Sequence, residues 1–215
     1  MKPSAVIFDL DGTVLDNEDE YGASFKKVLE SLGAKDVSDF PHVRGIGVKE
    51  NWPGLVEKYD IKTDKPSEVL ARLTQEEYLK QIESVTIKDG LREFVDSLKE
   101  KGIKTALATS NDRWIVDKIF EKLRLDSFFD MVTTGEEARL KKPEPDLFLV
   151  TADKLGVTPS ECLVIEDAAS GIAAAHSAGM KAVGLAGEPE RKKELKEADI
   201  IVEGYPEMFQ KISSN

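Results

Sequence analysis

Of 215 residues only one is a cysteine, Cys162, and only two are histidines, His42 and His176. A single thiol forms no internal disulfide and suits a reducing, cytoplasmic setting. The histidines show no metal-ligand spacing, which excludes the common zinc patterns. No apolar run approaches the ~20 residues of a membrane span. The N-terminus lacks a signal-peptide pattern, because Met1-Lys2-Pro3-Ser4 leads straight into a short apolar run that ends at Asp9. Positive charge is also scarce: 30 Lys and Arg face 41 Asp and Glu, a net charge of −11. That balance disfavours nucleic acid or an anionic membrane as the main partner. It also demands that any small anionic ligand find locally concentrated positive charge. No repeat or low-complexity segment is present, and nothing requires more than a monomer.

Short apolar runs recur along most of the chain: Ala5 to Phe8, Ile103 to Ala108, Met131-Val132, Cys162 to Ile165, Lys181 to Leu185 and Ile200 to Val202. Each has strand length and is mostly apolar, as strands buried on both faces require. Helical periodicity fills most of the gaps. Leu91, Phe94, Val95 and Leu98 share one face, as do Ile115, Ile119 and Leu123. Two further helices are expected over Leu147 to Leu155 and Gly171 to Ala178, followed by Gly156 and Gly179 as C-terminal stops. The alternation predicts an α/β fold, a three-layer Rossmann-like parallel sheet with helices on both faces.

Residues 16–87 break this rhythm. No buried-strand run occurs there, and helices are expected around Tyr21 to Leu32, Lys49 to Tyr59 and Pro66 to Glu83. Some of these could be ordinary crossover helices. A stretch of about 70 residues is nevertheless far longer than a normal crossover and reads as an inserted helical unit. The expected organisation is an α/β core of residues 1–15 and 88–215, interrupted by a small helical domain over residues 16–87.

The first strand runs into Asp9-Leu10-Asp11-Gly12-Thr13. Ligands in open parallel sheets bind beyond the carboxyl ends of the strands. Residues two apart on a strand share a face, so Asp9 and Asp11 are expected to look into one pocket. Two close carboxylates repel unless a cation or proton lies between them, and hard oxygen ligands suit Mg²⁺. Taken alone, the string also fits an ordinary Asp-Gly turn.

Phe8-Asp9-Leu10-Asp11-Gly12-Thr13-Val14-Leu15-Asp16 resembles the first motif of the haloacid dehalogenase-like hydrolases. Three further motifs of that family have matches in the family's order. Thr109 ends a strand in Ala108-Thr109-Ser110-Asn111, Lys142 precedes Pro143, and Glu166-Asp167 closes the run Val164-Ile165. The resemblance implies a phosphatase of small phosphorylated metabolites, of sugar phosphate or phosphoglycolate type. Asp9 would be the nucleophile that forms an aspartyl-phosphate, and Asp11 the general acid and then base. Mg²⁺ would be held by Asp9, the Asp11 backbone carbonyl, Glu166 and Asp167. Thr109 and Lys142 would bind the phosphoryl group, with Ser110 and Asn111 beside them.

The inserted helices resemble the small cap of one branch of that family, with hinges near Asp16-Asn17 and Ile87 to Gly90. Val43-Arg44-Gly45-Ile46-Gly47 resembles the cap loop that reaches toward substrate, and Arg44 and Lys49 are its available cations. Haloacid dehalogenases generally lack the second carboxylate, so Asp11 argues against dehalogenation. Beta-phosphoglucomutase relatives share the Glu-Asp pair. They usually carry a His shortly after the first motif, where this chain has Asn17 to Tyr21. They also hold a cation at the place of Val48. A phosphomutase is therefore the alternative, and a non-catalytic phosphometabolite-binding protein a third reading. Cys162 reads as a core residue and Trp114 as a packing residue. Trp52 reads as packing or as the lining of a substrate entrance. Glu188 to Glu197 reads as a solvated helix rich in local ion pairs.

Overall fold

The structure, a computed structural model, describes residues 3–213. Met1 and Lys2, part of the N-terminal reading, and Ser214 and Asn215, assigned to the core, lie outside the described residues. Six strands form one parallel sheet: β1 (Ala5–Phe8), β4 (Lys104–Ala108), β5 (Met131–Thr133), β6 (Cys162–Glu166), β7 (Lys181–Leu185) and β8 (Ile200–Val202). Their order is β5-β4-β1-β6-β7-β8. Chain order thus reverses at β1, which has β4 on one side and β6 on the other.

Alternation along each strand divides the core into two layers. Val6, Phe8, Leu107, Leu163 and Ile165 point to one face, against α4 (Leu91–Glu100), α5 (Arg113–Leu123) and α8 (Tyr205–Ser213). Ala5, Ile7, Ala106, Ala108 and Val164 point to the other, against α6 (Asp146–Leu155) and α7 (Ala169–Ser177). The second face is rich in alanine, so its helices can lie close to the sheet. These are the three layers expected from the strand–helix alternation.

The long stretch before α4 contains α1 (Glu18–Ser31), α2 (Val48–Lys58) and α3 (Ser67–Leu79). Both α1 and α2 pack on α3. Trp52 is fully buried there and donates its indole N–H to Thr74 Oγ1 at 3.1 Å. It is therefore a packing residue and does not line an entrance. The stretch is bounded by a two-stranded antiparallel ribbon, β2 (Leu15–Asp16) and β3 (Thr86–Ile87), which has no counterpart in the sequence reading. Two residues per strand leave no periodic signal to read. The ribbon ties both chain crossings together at the places expected to act as hinges.

The expected helix over Glu188 to Glu197 is replaced by a 3₁₀ turn, Pro189–Lys193. Leu195 is completely buried, and Arg191 turns inward toward Asp167. The run is therefore not an α-helix, although most of its residues are solvent-exposed and it carries the expected local ion pairs, Arg191–Glu194 at 3.5 Å and Lys196–Glu197 at 3.8 Å. Among the described residues no helix is long and apolar enough to cross a membrane.

Candidate active site

Strand register decides which residues meet. Phe8 pairs with Leu107 on β4 and with Ile165 on β6, so the carboxyl ends of β1, β4 and β6 are level. The residues just beyond these pairs, Asp9, Thr109 and Glu166-Asp167, are thereby gathered at the crevice beside the chain-order reversal. The Asp9 amide donates to the Ile165 carbonyl at 3.0 Å, which carries the alignment one residue past the strand. Gly12 then turns the chain with φ +72°, and a Cβ at this position would lie 2.4 Å from Asp167 Oδ2. Only glycine allows that approach.

Carboxylate oxygens of Asp9, Glu166 and Asp167 lie within 4.8 Å of one another, and all three residues are buried. Lys142, on the loop between β5 and α6, reaches them from the side. Its Nζ donates to Asp9 Oδ1 and to Glu166 Oε1, each at 2.5 Å. Burial works against a charged lysine, but Asp9 and Glu166 outweigh it and hold the ammonium above its ordinary value. On the acidic side burial wins. It pushes Glu166 up to about 8 against the pull of Lys142, and Asp167 up to about 7, with Glu18 and Asp9 adding to the rise. Asp9 is raised by the same cause. Glu166 Oε2 has no hydrogen-bond partner. Three buried carboxylates, one lysine and an unpartnered oxygen leave room and charge for a divalent cation, and the oxygen-only donor set suits Mg²⁺.

The Asp11 carboxylate does not join that group. Asn17 Nδ2 donates to Oδ1 and Asn111 Nδ2 to Oδ2, both at 2.7 Å. Burial, reinforced by the negative charge of Asp9, pushes Asp11 up to about 8, and the two amide bonds offset this only in part. Asn17 also donates to Tyr78 Oη at 2.9 Å and accepts from the Gly12 amide at 3.1 Å. Asn111 Oδ1 takes longer bonds, at 3.4 Å, from Tyr21 Oη and Gln75 Nε2. Side chains from α1 and α3 are thus connected to the carboxyl group of Asp11.

Thr109 is buried, and its Oγ1 accepts from the Asn111 amide at 3.1 Å. Thr109, Ser110 and Asn111 line one wall of a cavity of about 40 Å³ together with Asp9 and Asp11, while the loop around Arg44 lines another. Arg44 reaches the cavity through an ion pair with Glu18, Nε to Oε2 3.0 Å. Lys49 is not among the residues lining it. Its half-exposed side chain pairs with Glu68 at 2.7 Å, one helix away, because the register of α2 turns it outward. The loop and the core are in intimate contact: a Cβ on Gly45 (φ +76°) would fall 2.3 Å from Ala168 Cβ.

Residues at or beside this site that were not assigned to it from the sequence include Asn17, Glu18, His42 and Arg191, with Tyr21, Gln75 and Tyr78 behind Asp11. Asn17 was visible only as part of a hinge. Arg191 donates to the Asp167 carbonyl at 2.7 Å and lies 3.3 Å from its Oδ2. It sits in a run of mixed charges whose members look alike until the loop folds, so no local pattern separates it.

Comparison with known proteins shows the family and the fold. The profile of the haloacid dehalogenase-like hydrolases matches residues 6–185. A phosphorylated carbohydrates phosphatase of Thermotoga maritima is 33% identical over 207 residues, covering 94% of both chains. The beta-phosphoglucomutase of Bacillus subtilis is 31% identical over 211 residues, covering 92% of this chain and 88% of its own. The crystal structure of a beta-phosphoglucomutase from Clostridium difficile superposes with a TM-score of 0.86 at 26% identity, over 100% of this chain and 96% of that one. The chain belongs to the haloacid dehalogenase-like hydrolases. Within that family it is an enzyme of the phosphatase type.

Proposed function

We propose that this enzyme is a Mg²⁺-dependent phosphatase that hydrolyses small phosphorylated metabolites, of the sugar phosphate or phosphoglycolate type, through an aspartyl-phosphate on Asp9. The observation that carries the reading is the division of labour between two neighbouring carboxylates. Asp9 is anchored by Lys142, whereas Asp11 is clamped by two amides and carries a proton readily near neutral pH. Environments that push two acids into different roles mark a nucleophile and a proton donor.

A carboxylate approaching a phosphate dianion meets a repulsion of about 4 kcal/mol per pair of unit charges at ~4 Å and an effective dielectric of ~20. Lys142 offsets part of it and orients Asp9 through Oδ1. Mg²⁺, held by Asp9, Glu166, Asp167 and the Asp11 backbone carbonyl, would supply further positive charge for the phosphoryl oxygens. An Asp9 carboxylate oxygen bonds to phosphorus while the bond to the leaving oxygen breaks, and Asp11 gives that oxygen its proton. Asp11, now a carboxylate, takes a proton from water as the water oxygen attacks phosphorus. The bond to Asp9 breaks, and inorganic phosphate leaves. Thr109, Ser110 and Asn111 form the wall that holds the phosphoryl oxygens, and the helical insert over residues 16–87 closes the site against bulk water.

A phosphomutase is the second reading, supported by the Glu166-Asp167 pair and by relatives named beta-phosphoglucomutase. Against it, Tyr21 stacks on Tyr78 in the segment where those relatives usually carry a histidine, and Lys49 is engaged by Glu68. Phosphate release from a metabolite panel, with and without Mg²⁺, tests the proposal. Release should require Mg²⁺ and vanish in Asp9→Asn. Metal-independent release that survives this change would overturn it, and primer-dependent isomerisation of a sugar 1-phosphate without hydrolysis would select the mutase.

A further inference from the structure

The turn that carries Asp11 is held from near the other end of the chain. After Asp9 the backbone folds back sharply, with the Val14 and Leu15 amides both returning to the Leu10 carbonyl at 2.9 and 3.0 Å. Asp11 projects from the middle of this turn, and Gly12 lies against the Asp167 carboxylate. Thr13 is completely buried, so its carbonyl has no access to water. Buried backbone carbonyls are rarely left unpaired. The partner of this one is Tyr205, the first residue of α8, whose Oη donates to it at 3.0 Å across 192 positions of sequence. The next carbonyl, that of Val14, accepts from the Lys88 amide at 3.0 Å. Two bonds from distant segments thus fix the exit of the turn.

Tyr205 is itself held tightly. It is buried, and its ring centroid lies 5.6 Å from that of Phe94 and 6.4 Å from that of Phe8, the residue before Asp9. On another side Gly90 comes so close that a Cβ there would fall 3.3 Å from Tyr205 Cβ and 3.1 Å from Pro206 Cδ. Burial, with the negative charges of Asp9 and Asp167 adding to it, holds the phenol well above its ordinary value, so the hydroxyl stays a donor. A packed ring with a donor at its tip fixes position as well as pairing. The Thr13 carbonyl cannot shift by about 1 Å without losing the bond.

Asn17 and Asn111 orient the carboxyl group of Asp11, and the turn sets the backbone from which that group projects. We propose that Tyr205 is a positioning residue for the reaction. Through the Thr13 carbonyl its hydroxyl sets the turn that presents Asp11 to the leaving oxygen. The C-terminal helix thereby supports the proton transfer although none of its residues lines the cavity. The inference rests on the phosphatase reading and deepens its account of Asp11.

The test uses Tyr205→Phe, which removes the hydroxyl and keeps the ring, on two esters. A hexose monophosphate esterified at its primary alcohol needs a proton on the departing oxygen, whereas p-nitrophenolate departs without one. kcat/KM reports the steps up to departure of the leaving group, so the comparison isolates Asp11 as an acid. A displacement of about 1 Å can cost a hundredfold, so kcat/KM should fall about tenfold for the hexose ester and less than about twofold for p-nitrophenyl phosphate. Asp11→Asn should separate the two esters in the same direction and further. Both esters are read in one preparation, so their ratio does not depend on the fraction of folded protein. Tyr205→His, which keeps a ring N–H donor, should recover part of the ratio. A hydroxyl that only stabilises the fold would change both esters equally. Equal changes in Tyr205→Phe, with Asp11→Asn separating the esters, would overturn this inference and leave the phosphatase reading intact. No separation in Asp11→Asn would overturn the acid role of Asp11 and the inference with it. No phosphate release from either ester by the wild type would overturn the phosphatase reading itself.

Discussion

Arg72 on α3 lies over the indole of Trp114 on α5, its guanidinium carbon 3.4 Å from the ring centroid. This contact joins the helical insert to the α/β core away from the chemistry, and an ion pair between Glu83 and Lys122 reinforces the same side. If the insert closes over the site as proposed above, this contact would have to break whenever the site opens. The two-residue ribbon at both chain crossings would then be the pivot. A cation–π contact is worth about 0.5–2 kcal/mol. Arg72→Ala should therefore shift the balance toward the open arrangement roughly fivefold. Trp114 should then quench more readily with acrylamide and emit at longer wavelength. Quenching identical to the wild type would show that this contact does not hold the insert.

Lys142 is the single lysine between Asp9 and Glu166, with a side chain almost wholly buried. Breaking a buried ion pair by removing one partner costs about 3–5 kcal/mol, because the remaining charges are left uncompensated. Lys142→Met should lose about that much stability in metal-free buffer, measured by urea unfolding, and Mg²⁺ should restore part of it. Phosphate release should fall at least about a hundredfold, in the range that the loss of a preorganised charge contact produces. A variant as stable as the wild type without metal would refute this account of the acidic cluster.

Arg191 holds both the backbone carbonyl and the carboxylate of Asp167. Partners that orient metal ligands typically contribute 10–100-fold to metal affinity. Its positive charge beside the site works in the other direction, but the 2.7 Å carbonyl bond fixes the loop that carries the ligand, and orientation is expected to dominate. Arg191→Met should weaken Mg²⁺ binding by about tenfold, read by metal-dependent thermal stabilisation rather than by turnover. Tighter binding would mean that charge outweighs orientation here.

Glu137, in the turn that follows β5, supplies an acid-stability test. Burial alone would raise its pKa, but Lys154, the Thr134 amide and Arg113 hold the carboxyl down at about 2. Its folded value lies below the unfolded one, so it stabilises the fold above about pH 4.5, and that contribution is lost as pH falls toward 2. The side chain is partly exposed, so the gain is modest, on the order of 1 kcal/mol. Glu137→Gln should be less stable than the wild type by that amount at pH 7, and the two unfolding free energies should converge on acidification. A difference independent of pH would assign the effect to the turn it caps rather than to charge.

Much of the fold was legible because local signals sufficed. Apolar runs of strand length, apolar faces at helical spacing and glycines after helices are written within a few residues of where they act. Each of the six sheet strands lies at its expected run, with ends shifted by no more than a residue or so. The ribbon of Leu15–Asp16 with Thr86–Ile87 was not legible, because its pairing joins residues about 70 apart through two backbone contacts. Glu188 to Glu197 is solvated and ion-paired as its charges imply, but the 3₁₀ turn in place of a helix, the inward turn of Arg191 and the burial of Leu195 are decided only on folding.

The same division applies to the scarce positive charge of this acidic chain. The sequence alone determined the kinds of residue available for chemistry: a paired Asp9 and Asp11, a Thr109, a Lys142 and a Glu166-Asp167 pair, each at a strand end or in a loop. Only the tertiary structure decided their relations, because side-chain meetings across a parallel sheet depend on register and strand order. It brought Lys142 between Asp9 and Glu166, and it withdrew the Asp11 carboxylate from the metal-type cluster into the grip of Asn17 and Asn111. It turned Lys49 outward while leaving Arg44 beside Glu18. An overall charge of −11 is thus compatible with binding a small anion, because the field inside the crevice is set by a few groups at a few ångströms and not by the total.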